Sequence, residues 1–321
     1  MAAVTAPPAS LTAVILTRDE ERHIGRALRS IRPLAQRIVV VDSGSQDRTR
    51  EIARDHGAEI FERAWINYAD QFQWAIDNCG LDTDWILRLD ADEWLGEGLV
   101  ADLLAILPDL PDETTAISLD RRQYFLGRWI RHGGRYPLRL LRIWRNGLGR
   151  IEQRWMDEHI LVEKGTIRHV EGEFVDENDH GLGYFTAKHN AYATREAIDA
   201  LISKYELFPV PEDCGLASTA QAQKMRKRKV GWYNRLPLGI GPMAYFLYRY
   251  IPKLGFLDGR EGFIYHVLQG FWYRFLVDAK RFELEREIAP CRSRREKIDR
   301  LTAITGHDLI AFADNENREI S

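Results

Sequence analysis

A short β-prone run, Trp85-Ile86-Leu87-Arg88-Leu89, breaks off abruptly into Asp90-Ala91-Asp92-Glu93. A mostly apolar run of this length is how a strand covered on both faces reads, and open sheets of such strands bind ligands at the carboxyl ends. If the chain stays extended, Asp90 and Asp92 share a side-chain direction, because side chains alternate with period two. Two hard oxygen donors on one side suit Mg²⁺ or Mn²⁺ bridging to phosphate oxygens. A lone D-x-D is more often a solvated turn, so the residues upstream decide its meaning.

Upstream, Leu11 to Thr17 is a continuous apolar run of strand length, and Asp19 is placed to cap the helix that follows. Ile24, Ala27, Leu28 and Ile31 recur at helical spacing until Pro33 closes the segment. Arg37 to Asp42 is a second buried strand ending in a carboxylate, and Ser43 to Asp47 is turn chemistry feeding a helix over 48–56. A short strand over 58–61 and a helix over 68–79 lead back to Trp85. Strands alternating with helices imply βαβ units and a parallel sheet. Right-handed crossovers then gather Thr17, Asp42 and Asp90 on one rim. No G-x-G-x-x-G and no G-x-x-x-x-G-K-[ST] follows the first strand, so dinucleotide-binding and P-loop readings lose their phosphate cradle.

The chain of 321 residues, 29% charged and 45% hydrophobic, can bury one large core or two small ones. Its net charge of −3 gives no global pull toward nucleic acid. Cys79, Cys214 and Cys291 are too sparse for a disulfide framework and read as reduced thiols of a cytoplasmic protein. The small, Pro-containing stretch over 1–10 reads as a flexible N-terminus without a secretory pattern, and no apolar run reaches the length of a membrane span.

Three blocks carry a resemblance: Thr17-Arg18-Asp19-Glu20-Glu21, Val41-Asp42-Ser43-Gly44-Ser45-Gln46-Asp47-Arg48-Thr49 and Leu89-Asp90-Ala91-Asp92-Glu93. In order and spacing they look like the signature blocks of family 2 inverting glycosyltransferases, over roughly Leu11 to Leu201. The resemblance implies an α/β chain with the A-type glycosyltransferase fold, a mainly parallel Rossmann-like sheet flanked by helices. It also implies a nucleotide-diphosphate sugar donor, UDP-glucose by default, and a divalent cation. Carried over by position, Thr17 and Glu20 would hold the nucleoside, Asp42 the base, Asp90 the ribose and metal region, and Asp92 the metal. Asp19 stands where the family usually has Asn. For single residues blander readings compete: Glu20 and Glu21 as first-turn carboxylates, Asp47 as a cap, Glu93 as a solvated neighbour.

Between Arg121 and Arg154 ten arginines interleave with Tyr124, Phe125, Trp129, Tyr136 and Trp144. Given the phosphate-demanding motifs nearby, this mixture reads as diphosphate and sugar binding and not as nucleic-acid binding, with Arg142 taken as a donor contact. Inverting transfer needs a carboxylate to take the acceptor hydroxyl's proton. In the resembling enzymes an acidic or His-Glu pair beyond the metal motif plays this part, which here selects Glu158 first and Asp157 second, with His159 beside them. His180, Lys188 and His189, on or before a helix over 184–204, are further candidates for donor or acceptor contact. As a set, the blocks look like the bacterial subgroup that includes lipopolysaccharide-core glycosyltransferases.

The last third reads as a Pro-containing linker (207–216), the basic run Lys224-Met225-Arg226-Lys227-Arg228-Lys229, aromatic-rich helices, and a polar, peripheral tail from Arg292. Basic residues beside aromatic helices too short to span suggest contact with anionic lipid. The division is therefore a catalytic domain over 11–205 and a helical, aromatic-rich region over 206–321. The expected function is metal-dependent inverting transfer of a hexose, from a UDP-sugar by preference, to a hydroxyl of a cell-surface glycan or lipid-linked acceptor on the inner face of the cytoplasmic membrane. The rival is a non-catalytic membrane-surface scaffold that keeps a nucleotide-sugar fold, and the intact acidic set speaks against it.

Overall fold

The computed structural model describes residues 9–152, 158–208 and 238–309. Its first strand, β1 (Leu11–Thr17), is buried along its whole length. Leu11, Ala13 and Ile15 face α1 (Ile24–Ile31) and α4 (Glu97–Ile106), while Val14 and Leu16 join Phe72 and Ala75 of α3 (Tyr68–Asn78). Both faces of the strand are thus covered, which is why the run shows no polar alternation. β2 (Arg37–Asp42), β3 (Glu59–Glu62) and β4 (Trp85–Arg88) complete a parallel half ordered β3-β2-β1-β4, with α2 (Thr49–Asp55) in the β2–β3 crossover. The register sets Thr17 beside Asp42, so two polar strand ends emerge abreast.

The second half of the sheet is mixed. β8 (Leu138–Arg145) runs antiparallel to both β4 and β6 (Thr114–Phe125), and β6 pairs parallel with β11 (Thr166–Glu177). The three-residue β5 (Glu93–Leu95) pairs antiparallel with the far side of β11. The link from β4 to β5 must therefore cross the ends of β8, β6 and β11, and that link is the acidic stretch. β7 (Arg128–Trp129) adds to β6, while β9 (Gly149–Ile151) and β10 (Ile160–Val162) form a separate pair.

The 25-residue helix α5 (Gly181–Tyr205) leaves the end of β11 and carries the C-terminal helices. These are α6 (Ile240–Tyr250), α7 (Gly259–Tyr265), a π-helical stretch over His266–Trp272, α8 (Tyr273–Ile288) and α9 (Arg294–Thr305). The expected peripheral tail is corrected in part: Ile298, Leu301 and Leu309 bury with Leu201 and Ile288 in one apolar cluster, which holds the tail through residue 309 against α5 and α8. The linker beyond Phe208 and the Lys224–Lys229 run lie outside the described residues. Among the described residues no helix is long and apolar enough to cross a membrane.

Asp19 is not the cap of α1, which starts at Ile24 with no side-chain cap. Asp19 sits at φ 56°, a left-handed conformation that Asp and Asn tolerate better than other non-glycine residues. Its carboxylate accepts from the Gln46 amide at 2.7 Å, and its own amide donates to Ser45 Oγ at 2.9 Å. The first two sequence blocks are thereby laced together across the sheet rim.

Candidate active site

Asp42, wholly buried at the end of β2, organises this rim. Its Oδ1 accepts from the Gly44 and Ser45 amides (3.0 and 2.9 Å), and its Oδ2 from the Thr17 and Ser45 hydroxyls (2.9 and 2.5 Å). Asp47 does the same for the next turn, accepting from the Glu21 and Thr49 amides (3.0 and 2.9 Å). Glu20 is buried in turn: its Oε2 accepts from His23 Nδ1 at 2.7 Å, while His23 Nε2 accepts from the Asp179 amide at 2.9 Å. Ligand atoms of Glu20, His23 and His180 lie within 4.8 Å of one another. Both His23 nitrogens are spent on this bridge, however, so it ties Glu20 to the start of α5.

The acidic stretch is a turn, not an extended strand: β4 stops at Arg88, and the Glu93 amide donates to the Asp90 carbonyl at 2.9 Å. Asp90 and Asp92 consequently engage different partners. Tyr68 Oη donates to Asp90 Oδ1 at 2.5 Å, Arg88 Nε lies 3.9 Å from that oxygen, and Arg142 Nη2 lies 3.6 Å from Oδ2. Asp92 Oδ2 accepts from Asn178 Nδ2 at 3.1 Å and faces Lys188 Nζ of α5 at 3.5 Å. Asp176 joins the group through Arg121 (3.1 Å) and Gln123 (3.0 Å).

Glu93 overturns the expectation of a solvated neighbour. It is 1% exposed; its Oε1 accepts from Arg142 at 2.5 Å and its Oε2 from the Asp90 amide at 2.9 Å. Pairing β5 with the far side of β11 draws this carboxylate inward. Arg142 is itself 3% exposed, so it reaches the site from beneath, as the shared counter-ion of Asp90 and Glu93. Arg121, Arg122 and Arg139 are likewise paired with carboxylates, so much of the arginine-rich stretch serves the protein's own acids.

These contacts set the charge pattern. Burial works to raise Asp90, but Arg142 and Arg88 outweigh it and hold the carboxyl down at about 2. Burial likewise opposes ionisation of Asp92, and Lys188 overcomes it, leaving Asp92 below its ordinary value. Glu93 goes the other way: burial pushes it up to about 8 against the pull of Arg142. Lys188 is about two-thirds buried and stays charged because Asp92 faces it, with the rings of Tyr184 and Tyr192 5.8 and 5.9 Å away. The result is a pair of ionised, partly exposed carboxylates on a turn braced from below, which fits a hard divalent cation.

Glu158 enters through its backbone: its carbonyl accepts from Arg88 Nη1 at 3.3 Å, one residue removed from Asp90 in the chain of contacts. Asp157 lies outside the described residues. Tyr68, Arg88 and Asn178 were not legible as site residues, since nothing in their local pattern separates them from ordinary helix, strand and loop positions.

His189 does not join the polar group. Its ring stacks on Phe185 (centroids 3.8 Å apart), and burial pushes its imidazole down to about 4. Protonation is thus disfavoured in the folded state, so this residue's contribution to stability is full above the unfolded histidine value and is lost as pH falls toward 4. Thermal melts from pH 7 to pH 4 are expected to show a steeper loss in the wild type than in His189→Phe. Parallel curves would remove the assignment.

Residues 12–177 match the family described as Glycosyl transferase family 2. The lipopolysaccharide core biosynthesis glycosyltransferase LpsC of Rhizobium meliloti is 30% identical over 283 residues, covering 86% of this chain and 93% of LpsC. An uncharacterized glycosyltransferase of Rickettsia bellii is 39% identical over 89 residues, a match that takes in 28% of this chain and spans only 30% of that relative's length. Among solved structures, glucosyl-3-phosphoglycerate synthase of Mycobacterium tuberculosis in complex with Mn²⁺, UDP and glucosyl-3-phosphoglycerate superposes with a TM-score of 0.40 at 15% identity, covering 61% of this chain and 79% of that one. With the family match spanning all three sequence blocks and LpsC aligned along nearly its whole length, the chain belongs to glycosyl transferase family 2 and has the A-type glycosyltransferase fold.

Proposed function

We propose that the protein is a metal-dependent inverting hexosyltransferase, using a nucleotide-diphosphate sugar, by preference a UDP-sugar, to glycosylate a hydroxyl of a lipopolysaccharide-core or other lipid-linked glycan. The observation that carries this reading is the braced turn, in which Asp90 and Asp92 remain ionised beside one another at the carboxyl rim of the sheet. Residues 11–205 form the catalytic unit, and residues 206–321 the extension. The acceptor class is supported by the name of the R. meliloti relative, and the donor by the rim where Thr17 donates to Asp42 and the Glu20 amide donates to Thr49.

In this reading Thr17 and Glu20 line the nucleoside end, with Asp42 shaping the Ser43–Gln46 loop against the base. Asp92 together with Asp90 would hold Mg²⁺ or Mn²⁺, which when bound neutralises charge gathering on the departing diphosphate. Lys188 brings a fixed ammonium to the same place. The acceptor oxygen attacks the anomeric carbon as the bond to the diphosphate breaks, and its proton passes to Glu158, or failing that to Asp157. Attack opposite the leaving group inverts the anomeric centre.

Glu158→Gln is expected to lower turnover about a hundredfold while donor affinity stays within about twofold. Unchanged turnover would move the base to Asp157 or elsewhere. Calorimetric titration with a panel of nucleotide sugars, with and without Mn²⁺, tests the class itself: one donor should bind, and only with metal. Failure of every donor to bind the folded protein would favour the scaffold.

A further inference from the structure

Helix α6 is built inside out. Ile240, Met243, Leu247, Tyr248, Ile251 and Leu254 recur along one face of α6 and the turn after it, and all are 43–57% exposed. The charged residue of the helix, Arg249, points inward and is 2% exposed, donating to the Gly133 carbonyl at 3.1 Å and to Gln269. The following turn continues the outward apolar surface with Phe256 and Leu257. A helix packed only for the protein's own core would place these residues the other way round, because an outward apolar stripe gains nothing in water.

The charges around the stripe say what covers it. From Leu238 to Arg260 the sole acidic residue is Asp258, which is buried and accepts from His132 at 2.6 Å. Lys253 and Arg260 are exposed, and Arg128 reaches the edge of the patch, donating to the Leu257 carbonyl at 3.4 Å. In sequence, the run Lys224-Met225-Arg226-Lys227-Arg228-Lys229 precedes the helix. An apolar stripe bordered by the exposed Lys253 and Arg260, with the partly exposed Glu261 at its edge paired to Arg128 at 3.7 Å, complements the interface of an anionic bilayer: apolar side chains enter the acyl boundary while the two exposed cations meet the headgroups.

We propose that the outer face of α6 and the turn over 251–257 is a monotopic docking surface for anionic lipid. The surface is tied to the candidate site through rings, since Arg249 of α6 lies over Tyr265 of α7 (5.8 Å), Phe125 touches Tyr265 (5.3 Å) and Phe185 of α5 (5.1 Å), and α5 also carries Lys188. Docking would thus hold the acidic turn at a set height above the bilayer, where lipid-borne hydroxyls are found. The docking itself does not depend on which donor or acceptor the site uses.

The test is co-sedimentation of the full chain with vesicles of phosphatidylcholine alone or mixed with phosphatidylglycerol. The wild type should pellet with the anionic vesicles at low salt and remain in solution with the neutral ones. Leu247→Glu/Ile251→Glu should lower the partition coefficient at least about tenfold with an unchanged circular-dichroism spectrum. Lys253→Glu/Arg260→Glu should lower it about as much and flatten its salt dependence. Metal-dependent donor binding should be untouched in both, which separates failure of docking from failure of the catalytic reading. The proposal is overturned if the wild type ignores anionic vesicles, or if the apolar variant binds them as the wild type does. It is equally overturned if sedimentation velocity shows a dimer that Leu247→Glu/Ile251→Glu dissociates, since the face would then belong to a second copy.

Discussion

Asp92→Ala is expected to lower glycosyl transfer by about a thousandfold or more while the protein stays folded. The activity loss follows from its place on the turn. Asp92 is one of the two ionised carboxylates of the turn, and removing it takes away the anionic oxygen that would hold the cation against the diphosphate. The fold should survive because the side chain's contacts are confined to one oxygen, shared by Asn178 and the partly exposed Lys188. Contacts of that kind contribute about 1–2 kcal/mol. The checks are product formation under saturating donor, metal-dependent donor binding by calorimetry, and the melting temperature. Full transfer in the variant would remove the metal assignment, and loss of folding would leave Asp92→Asn as the cleaner probe.

Arg142→Met should act on stability first. The guanidinium is buried between Glu93 and Asp90 and also lies over the Phe174 ring at 5.1 Å, so a side chain of similar length keeps the packing and deletes the charge. Breaking a buried ion pair by removing one partner costs about 3–5 kcal/mol. The deficit should depend on pH with a definite sign. Glu93 has its folded value raised to about 8, so the wild type already loses stability as pH climbs from the ordinary carboxylate range toward 8. Without Arg142 that value rises further, so the difference between variant and wild type should be smaller at pH 5 than at pH 8. Calorimetric melts at the two pH values decide this, and a deficit that is absent or independent of pH would refute the shared counter-ion role. Donor affinity should fall as well, because Asp90 loses the charge that holds it ionised.

Local sequence carried much of this protein openly. The strand-length apolar runs before Thr17, Asp42 and Asp90 correspond to β1, β2 and β4, because a strand covered on both faces leaves a mark in every residue. The rim was legible for the same reason: parallel crossovers bring strand ends together whatever the loops contain. The helices up to residue 205 were found to within a few residues, and the 25-residue α5 was foreshadowed by its spacing, although its first turn begins at Gly181.

Where sequence reading failed, the cause was a contact between distant residues. Asp19 resembles a helix cap locally, yet its backbone turns left-handed and its carboxylate goes to Gln46. Glu93 resembles a solvated acid until β5 pairs with β11 and closes it over Arg142. His189 has the look of a site histidine, yet its ring packs edge-on against Tyr273 of α8, with centroids 5.4 Å apart. The outward stripe of α6 has the periodicity of any amphipathic helix, and its direction cannot be read from that periodicity.

By itself, then, the sequence determined the parallel half of the sheet, the family and the identity of the acidic turn, because each of these is written in short-range pattern and in strand termini. Only the tertiary structure decided which carboxylates are ionised, which arginine holds them and which helix face meets the outside. Those properties depend on burial and on partners 49 to 127 positions away, as Glu93–Arg142 and Arg131–Asp258 illustrate, and no local pattern encodes a partner at that range.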